Sequence, residues 1–198
     1  MKVIGLTGQT GAGKGAFCKI LSEYGIPCLD TDKTARLVVE KGTPCLDELC
    51  GHFGCCILES DGTLNRKKLG EIAFSDKNEL AALNSITHKY ITEKVEMWLD
   101  KKRAEGCVAA VIDAPQLFES GENNICDITV ALLAKEDIRL ARILDRDGIT
   151  EQYARKRMAS QKDELFFISK CDHIIYNNST KEELEKETIS FLKKEKLI

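Results

Sequence analysis

The chain has 198 residues, of which 43% are hydrophobic and 31% charged, a globular composition that excludes a disordered chain. Lys and Arg number 29 against 32 Asp and Glu, and the net charge of −3 gives no reason to expect a nucleic-acid-binding surface over the whole protein. No apolar run approaches the ~18–20 residues that span a bilayer, and no signal-peptide pattern occurs. The nine scattered cysteines are best interpreted as reduced thiols. We therefore expect a cytoplasmic protein without a membrane partner.

Strand-like and helix-like segments alternate along the chain, which is typical of a parallel α/β sheet. Short apolar runs predict five parallel strands, at 3–7, 26–29, 107–112, 128–133 and 173–176. Amphipathic spacing predicts helices over 14–24, after the turn at 30–32, over 136–145, and in a long stretch that Ser75 caps and Gly106 ends. Two further helices are predicted after the caps Thr150 and Thr180.

A glycine-rich loop follows the first predicted strand and precedes the first helix. Residues 8–15 read GQTGAGKG, which fits the P-loop pattern GxxxxGK. Such a loop turns backbone N–H groups toward phosphate oxygens, and the following helix adds the positive end of its dipole. We therefore predict an ATP site in which the lysine contacts the β- and γ-phosphates, formed by Gly11, Ala12, Gly13, Lys14, Gly15 and Ala16.

The loop lacks the hydroxyl side chain that ordinarily follows the lysine and binds Mg²⁺. Gly15 stands at that position and Ala16 comes next. The GAGKG sequence is similar to the loop of adenylate kinases, which also carry glycine after the lysine. Two interpretations stay open: a working kinase whose carboxylates hold Mg²⁺ through water, or a nucleotide-binding protein with weakened catalysis. We favour the first, because the other positions that the chemistry needs are filled.

Acidic side chains follow two of the predicted strands. Asp30 and Asp32 come after the second strand, where a carboxylate could accept the proton of an acceptor hydroxyl. Aspartates in a turn can equally be helix caps, so the pattern alone leaves each of the two roles open. Asp113 ends the third strand, the usual setting of an acid that holds Mg²⁺ directly or through water.

Five arginines follow the fourth predicted strand and could cover the phosphates as a lid. We interpret two of them, Arg139 and Arg155, as part of solvated helix faces. The other three candidates are Arg142, Arg146 and Arg157.

Further motifs run along the whole chain in a specific order. They are IGLTG at the start, D-x-D-x-x-A-R at 30–36, DGTLNRKKL at 61–69, His88, D-x-P-x-L-F-E at 113–119, R-x-x-x-R-D at 142–147, R-M-x-x-Q at 157–161 and CDHIIYNNS near the end. With the P-loop, this series resembles the dephospho-coenzyme A kinase family. The departures from the family pattern are Gly15, Ala16, Gln116 and Lys89, and only the first two bear on catalysis.

The resemblance implies an α/β P-loop kinase of three layers around a five-stranded parallel sheet. It implies one domain over residues 1–198, with a helical acceptor-binding insertion at about 60–105 and a lid at about 142–170. The implied reaction is ATP- and Mg²⁺-dependent phosphorylation of the ribose 3′-hydroxyl of dephospho-coenzyme A, the last step of coenzyme A synthesis. Both substrates are small molecules, and nothing in the sequence indicates an oligomeric state.

The resemblance also implies roles for particular residues. Asp32 would be the base, Lys14 the γ-phosphate ligand, and Arg142 a lid residue near the transferred phosphate or the adenine. Asn177 would lie beside the ATP base. The acceptor site would be lined by Asp32, Arg36, Arg66, His88, Leu117 and Glu119.

A second hypothesis is another kinase of the nucleoside monophosphate type. Only GAGKG favours it, whereas the D-x-D turn, His88 and D-x-P-x-L-F-E argue against it. Phosphorylation of AMP in place of dephospho-coenzyme A would support this second hypothesis.

Overall fold

A computed structural model describes all of residues 1–198, and its single sheet contains five strands. In spatial order the sheet runs β2-β3-β1-β4-β5. The strands are β1 (Lys2–Gly8), β2 (Cys28–Asp30), β3 (Ala109–Asp113), β4 (Ile128–Leu133) and β5 (His173–Tyr176). The five strands predicted from the apolar runs are confirmed, with shifts of one or two residues at some ends.

The central strand β1 pairs in parallel with β3 on one side and β4 on the other. In this register Leu6 lies opposite Asp113, and Gly8 lies opposite Leu132. The carboxyl ends of the three central strands therefore meet at one edge of the sheet. The glycine-rich loop, which begins at Gly8, starts at this edge.

Nine α-helices connect and follow the strands. None of them combines the length and the apolar character that a membrane-crossing helix needs. The helices are α1 (Lys14–Glu23), α2 (Thr31–Leu37), α3 (Pro44–Phe53), α4 (Arg66–Ala73), α5 (Lys77–Ala104), α6 (Glu136–Asp147), α7 (Glu151–Ala159), α8 (Glu164–Lys170) and α9 (Lys181–Lys194).

The main core lies between the sheet and the helices α1 and α9. Phe17 of α1 and Phe191 of α9 pack with their ring centroids 6.2 Å apart, over the apolar face of the central strands. Burying a side chain of this size stabilises the fold by about 1.5–3 kcal/mol. The buried residues of this core include Ile4, Leu6, Ile20, Leu21, Val111, Val130, Leu132, Leu184 and Leu192.

The helices after β4 form two smaller clusters. Leu140 and Ile143 of α6 pack against Ala154 and Met158 of α7, which fastens these two helices together. On α8, Phe167 packs against β4.

The chain divides into two compact units. The first consists of Met1–Leu29 and Lys102–Ile198 and contains the P-loop, and the second is the mainly helical segment Asp30–Lys101. The second unit begins directly where β2 ends, earlier than the predicted insertion at about 60–105. The short helices α2, α3 and α4 begin directly after the capping residues Asp30, Thr43 and Asn65. Each capping side chain accepts a backbone hydrogen bond and so starts a helix in the polar segment before residue 75.

Two of the three helix caps predicted from the sequence are confirmed, and the third is wrong. Thr150 and Thr180 accept hydrogen bonds from the N–H groups of Tyr153 and Glu183 and cap α7 and α9, as predicted. The predicted cap Ser75 is wrong, because its hydroxyl donates backward to the Ile72 carbonyl at 2.7 Å. The carboxylate of the next residue, an aspartate, accepts from a backbone N–H at the start of α5 instead.

Candidate active site

The P-loop is held in a conformation that only glycine adopts easily. Gly13, the residue before α1, has a φ of 100°, and a Cβ there would collide with the side-chain amide of Asn177. Asn177 uses that amide to donate a hydrogen bond to the Ala12 carbonyl at 2.8 Å. A side chain at Gly13 would therefore both strain the loop and displace the residue that supports it.

The N-terminus of α1 is open for an anion. Its first turn carries no acidic residue and no side-chain cap, so the backbone N–H groups of Gly13, Lys14 and Gly15 have no acceptor within the protein. Gly15 and Ala16 are exposed. Unpaired N–H groups at the positive end of a helix dipole form a phosphate-binding site.

Lys14 lies over this open end of the helix. Its ammonium group donates to the Gly8 carbonyl at 3.3 Å, so the side chain folds back along the loop instead of extending into solvent. This cation therefore lies on the same loop as the unpaired N–H groups. The arrangement can neutralise the negative charge of a nucleotide phosphate chain.

Arg142 of α6 joins the loop to the segment after β5. One guanidinium nitrogen donates to the Asn177 carbonyl at 3.1 Å and to the carbonyls of Gly11 and Ala12 at 3.4 Å. The other donates to the side chain of Asn177 at 3.3 Å. The two residues predicted at the nucleotide, Arg142 and Asn177, therefore lie together against the P-loop.

Asp113 lies at the carboxyl end of β3, next to the strand that leads into the P-loop. The Cys18 thiol, one turn into α1, lies 4.0 Å from its Oδ2 atom. A hydrogen bond with Cys28 and burial raise the pKa of Cys18, which keeps this sulfur a neutral thiol beside the carboxylate. Asp113 is the acid that the sequence predicts to hold Mg²⁺, and it lies at the strand end expected for that role.

The arginines predicted as a lid have different surroundings. Arg146 and Arg157 both pair with Asp147, and Arg155 is an exposed residue paired with Glu136 and Glu151. The interpretation of Arg139 as solvated is wrong. Only 8% of Arg139 is exposed, its Nε donates to the Ala134 carbonyl, and burial lowers its pKa. Its backbone packs against Gly11, which places this part of α6 under the loop.

In the second unit, the two aspartates after β2 have different environments. The Asp30 carboxylate accepts from the Lys33 N–H at 3.1 Å and caps α2, and it also pairs with the Lys33 ammonium. Asp32 lies in the first turn of the same helix, exposed and without a hydrogen-bond or ion-pair partner. Asp30 therefore has a structural role, and Asp32 is the carboxylate that remains available for chemistry.

Two predicted acceptor residues of the second unit lie side by side. Arg66, the first residue of α4, donates weakly to the Arg36 carbonyl at 3.5 Å, and both side chains are exposed. Exposed guanidinium groups are suited to an anionic ligand such as a phosphate. His88 lies half-buried on α5.

The two predicted acceptor residues after β3 have different surroundings. Glu119 is exposed, whereas Leu117 is fully buried, against Gly5 of β1. The Leu117 side chain is part of the core and offers no surface to an acceptor, contrary to the prediction. The missing side chain at Gly5 makes the room that Leu117 fills.

The structure adds one site residue to which the sequence assigned no role. The side chain of Gln161 accepts a hydrogen bond from the Thr10 N–H of the P-loop at 2.7 Å. The R-M-x-x-Q motif at 157–161 contained this residue, and its position in the motif was the one available signal. Neither spacing nor hydropathy indicates which group a glutamine after a short helix will form a hydrogen bond with.

Similarity to known proteins agrees with this geometry. Residues 2–183 match the family model described as dephospho-CoA kinase. The dephospho-CoA kinase of Listeria monocytogenes is 37% identical over 98% of this chain and 96% of its own. That of Corynebacterium efficiens is 40% identical over 91% of this chain and 90% of its own.

Solved structures show the same fold. A structure from Thermus thermophilus has a TM-score of 0.83 at 25% identity and covers 98% of this chain and 97% of that one. The dephospho-CoA kinase from Campylobacter jejuni has a TM-score of 0.71 at 26% identity, with the same coverage. A shikimate kinase from Acinetobacter baumannii, with a TM-score of 0.55 at 15% identity, shares the fold alone.

The sheet, the open helix end and the lysine over it define a P-loop kinase. Within that class, the chain belongs to the dephospho-CoA kinase family. It is a transferase that uses ATP to phosphorylate dephospho-CoA in coenzyme A biosynthesis.

Proposed function

We propose that the enzyme transfers the γ-phosphoryl group of ATP to the ribose 3′-hydroxyl of dephospho-coenzyme A. The products are ADP and coenzyme A. The observation that carries the proposal is the open N-terminus of α1, whose unpaired N–H groups and Lys14 form a binding site for the phosphate chain.

The nucleotide is assigned to residues of the first unit, and the acceptor mainly to residues of the second, with Glu119 from the first. The nucleotide phosphates would bind to residues 11–16, with Arg142 and Asn177 beside the nucleotide. The acceptor would bind through residues that include Arg36, Arg66, His88 and Glu119. The exposed side chains of Arg36 and Arg66 support this assignment, because the acceptor carries a diphosphate.

Asp32 is the proposed general base. Its carboxylate would accept the proton of the 3′-hydroxyl as that oxygen attacks the γ-phosphorus and the bond to the β-phosphate oxygen breaks. ADP leaves with the electron pair of the broken bond. The lack of any partner for Asp32 supports the role, since a carboxylate engaged as a cap, as in Asp30, is less available.

The residues present fit an Mg²⁺ ion held mainly by water and substrate. No group of three metal-ligating side chains occurs, and Mg²⁺ bound to a nucleotide commonly takes one or two carboxylates, several waters and the phosphates. Asp113 would supply the carboxylate. When bound, the ion would reduce the negative charge of the transferred phosphoryl group.

A coupled ADP-release assay with four candidate acceptors tests the proposal. We expect turnover with dephospho-coenzyme A, none with its 3′-deoxy analogue, and none with AMP or adenosine. Turnover with AMP would instead support a nucleoside monophosphate kinase. ATP binding without turnover on any acceptor would support a nucleotide-binding protein that has lost its chemistry.

Gly15→Ser should lower the Mg²⁺ concentration needed for half-maximal rate by about two- to tenfold, the value of one added polar interaction. A Cβ at Gly15 meets no atom within 4 Å, so the new hydroxyl fits without strain. Gly15→Ala is the matched control, because it adds the Cβ without the oxygen. An unchanged metal requirement in Gly15→Ser would show that the missing hydroxyl is no handicap.

All nine cysteines are free thiols. The reducing cytoplasm maintains that state, and we propose this compartment for the enzyme.

A further inference from the structure

The first half of the P-loop is a tight turn. The Ala12 N–H donates to the Gln9 carbonyl at 3.1 Å, which closes a four-residue turn over residues 9–12. Gly11 at its third position has a φ of 77°, as a type II turn requires. Thr10 occupies the second position, so its N–H takes no part in the hydrogen bond that closes the turn.

This N–H would be costly to leave unpaired. Gln9 and Thr10 are only 8% and 7% exposed, so little water reaches the turn. A buried backbone donor without an acceptor destabilises the conformation that leaves it unpaired. The Gln161 side-chain oxygen, 2.7 Å away and 151 residues along the chain, is the acceptor that satisfies it.

Gln161 follows α7 closely and is fixed to that helix. Its own N–H donates to the Met158 carbonyl at 3.3 Å, and the Met158 side chain packs against α6 in the cluster that joins α6 to α7. The same α6 carries Arg142, which donates to the carbonyls of Gly11 and Ala12. Gln161, fixed to α7, therefore accepts a hydrogen bond from the P-loop at Thr10, and Arg142 of α6 donates to the next two loop residues.

We propose that Gln161 is a positioning residue for phosphoryl transfer, which holds the turn at residues 9–12 so that the following N–H groups face the ATP phosphates. The proposal rests on the proposed function of the P-loop. Gln161 acts through the Thr10 N–H and not on the nucleotide itself. Loss of the Gln161 oxygen should therefore lower kcat/KM for ATP and leave the KM for dephospho-coenzyme A unchanged.

The experiment compares Gln161→Met, Gln161→Glu and a control in the full-length enzyme. Methionine has a similar length but no oxygen, whereas glutamate keeps an acceptor for the N–H. Gln152→Ala is the control, because Gln152 is an exposed glutamine of α7 without a hydrogen-bond partner. The measurements are amide hydrogen exchange at Thr10, the ATP dissociation constant, and kcat and KM for both substrates.

In Gln161→Met we expect exchange at Thr10 to accelerate about five- to tenfold and kcat/KM for ATP to fall by a similar factor. The KM for dephospho-coenzyme A and the exchange of the α7 amides should stay within twofold. Gln161→Glu should restore slow exchange at Thr10. The control should match the unmodified enzyme.

Unchanged exchange at Thr10 in Gln161→Met would overturn the proposal at its structural step. Faster exchange with unchanged ATP affinity and turnover would overturn its functional step. Equal weakening of both substrates would assign Gln161 a role in general stability instead. Because exchange is measured without substrate, failure of the proposed reaction would leave this readout unaffected and the two failures distinguishable.

Discussion

Asp32→Asn should lower kcat by about 10²–10⁴-fold, the range that a positioned general base contributes. Asparagine has the same shape but cannot take the proton of the acceptor hydroxyl at neutral pH. The ATP dissociation constant should stay within threefold, because the nucleotide is assigned to the P-loop. Steady-state ADP release and calorimetric ATP titration measure the two quantities.

Asp30→Asn is the matched control for this change. Asparagine is as good a helix cap as aspartate, so α2 should keep its start at Thr31. We expect this variant to lose less than about tenfold in kcat, since it removes one exposed charge near the site and no chemical group. Equal losses in the two variants, or full turnover in Asp32→Asn, would exclude Asp32 as the base.

Lys14→Met should reduce kcat/KM for ATP by about 10²–10³-fold, the loss expected when one preorganised donor to a developing charge is removed. The ammonium group is the cation that lies on the P-loop, beside the unpaired N–H groups of α1. Methionine preserves the length of the side chain and removes the charge. Steady-state kinetics at varied ATP measure this ratio.

Lys19→Met is the control for this second change. Lys19 is an exposed lysine of the same helix, on a part of α1 away from its N-terminus. The two variants change the net charge equally, so any general effect of charge appears in both. A loss in Lys14→Met no larger than in Lys19→Met would contradict the phosphate-binding role.

The sheet could be predicted because its strands are short apolar runs, three of which end at a glycine or an acidic residue. Val3 to Thr7 followed by Gly8 is such a run, and it is the centre of the sheet. The start of α5 could not be placed, since Ser75 and the aspartate after it are both good caps. Which of the two residues caps α5 depends on the end of α4, because the Ser75 hydroxyl donates to the Ile72 carbonyl there.

The conformation of the P-loop could be predicted from the sequence, because its turns need a positive φ and glycine is the residue that adopts it easily. Side-chain environments were less predictable. Arg139 is buried at a point where its backbone packs on Gly11, and Leu117 points inward because Gly5 leaves space for it. Both contacts join residues more than 100 positions apart, which periodicity within a segment cannot detect.

The order of strands in the sheet also has a consequence for synthesis on the ribosome. The central strand β1 is made first, yet its neighbours β3 and β4 begin only at Ala109 and Ile128. At about 5–20 residues per second, an apolar strand waits roughly 5–20 s for its first partner. The whole segment Asp30–Lys101 emerges during that interval and can complete its own helices first. Until β3 has been made, β1 therefore has two unpaired edges, a surface that makes an incomplete chain prone to aggregation.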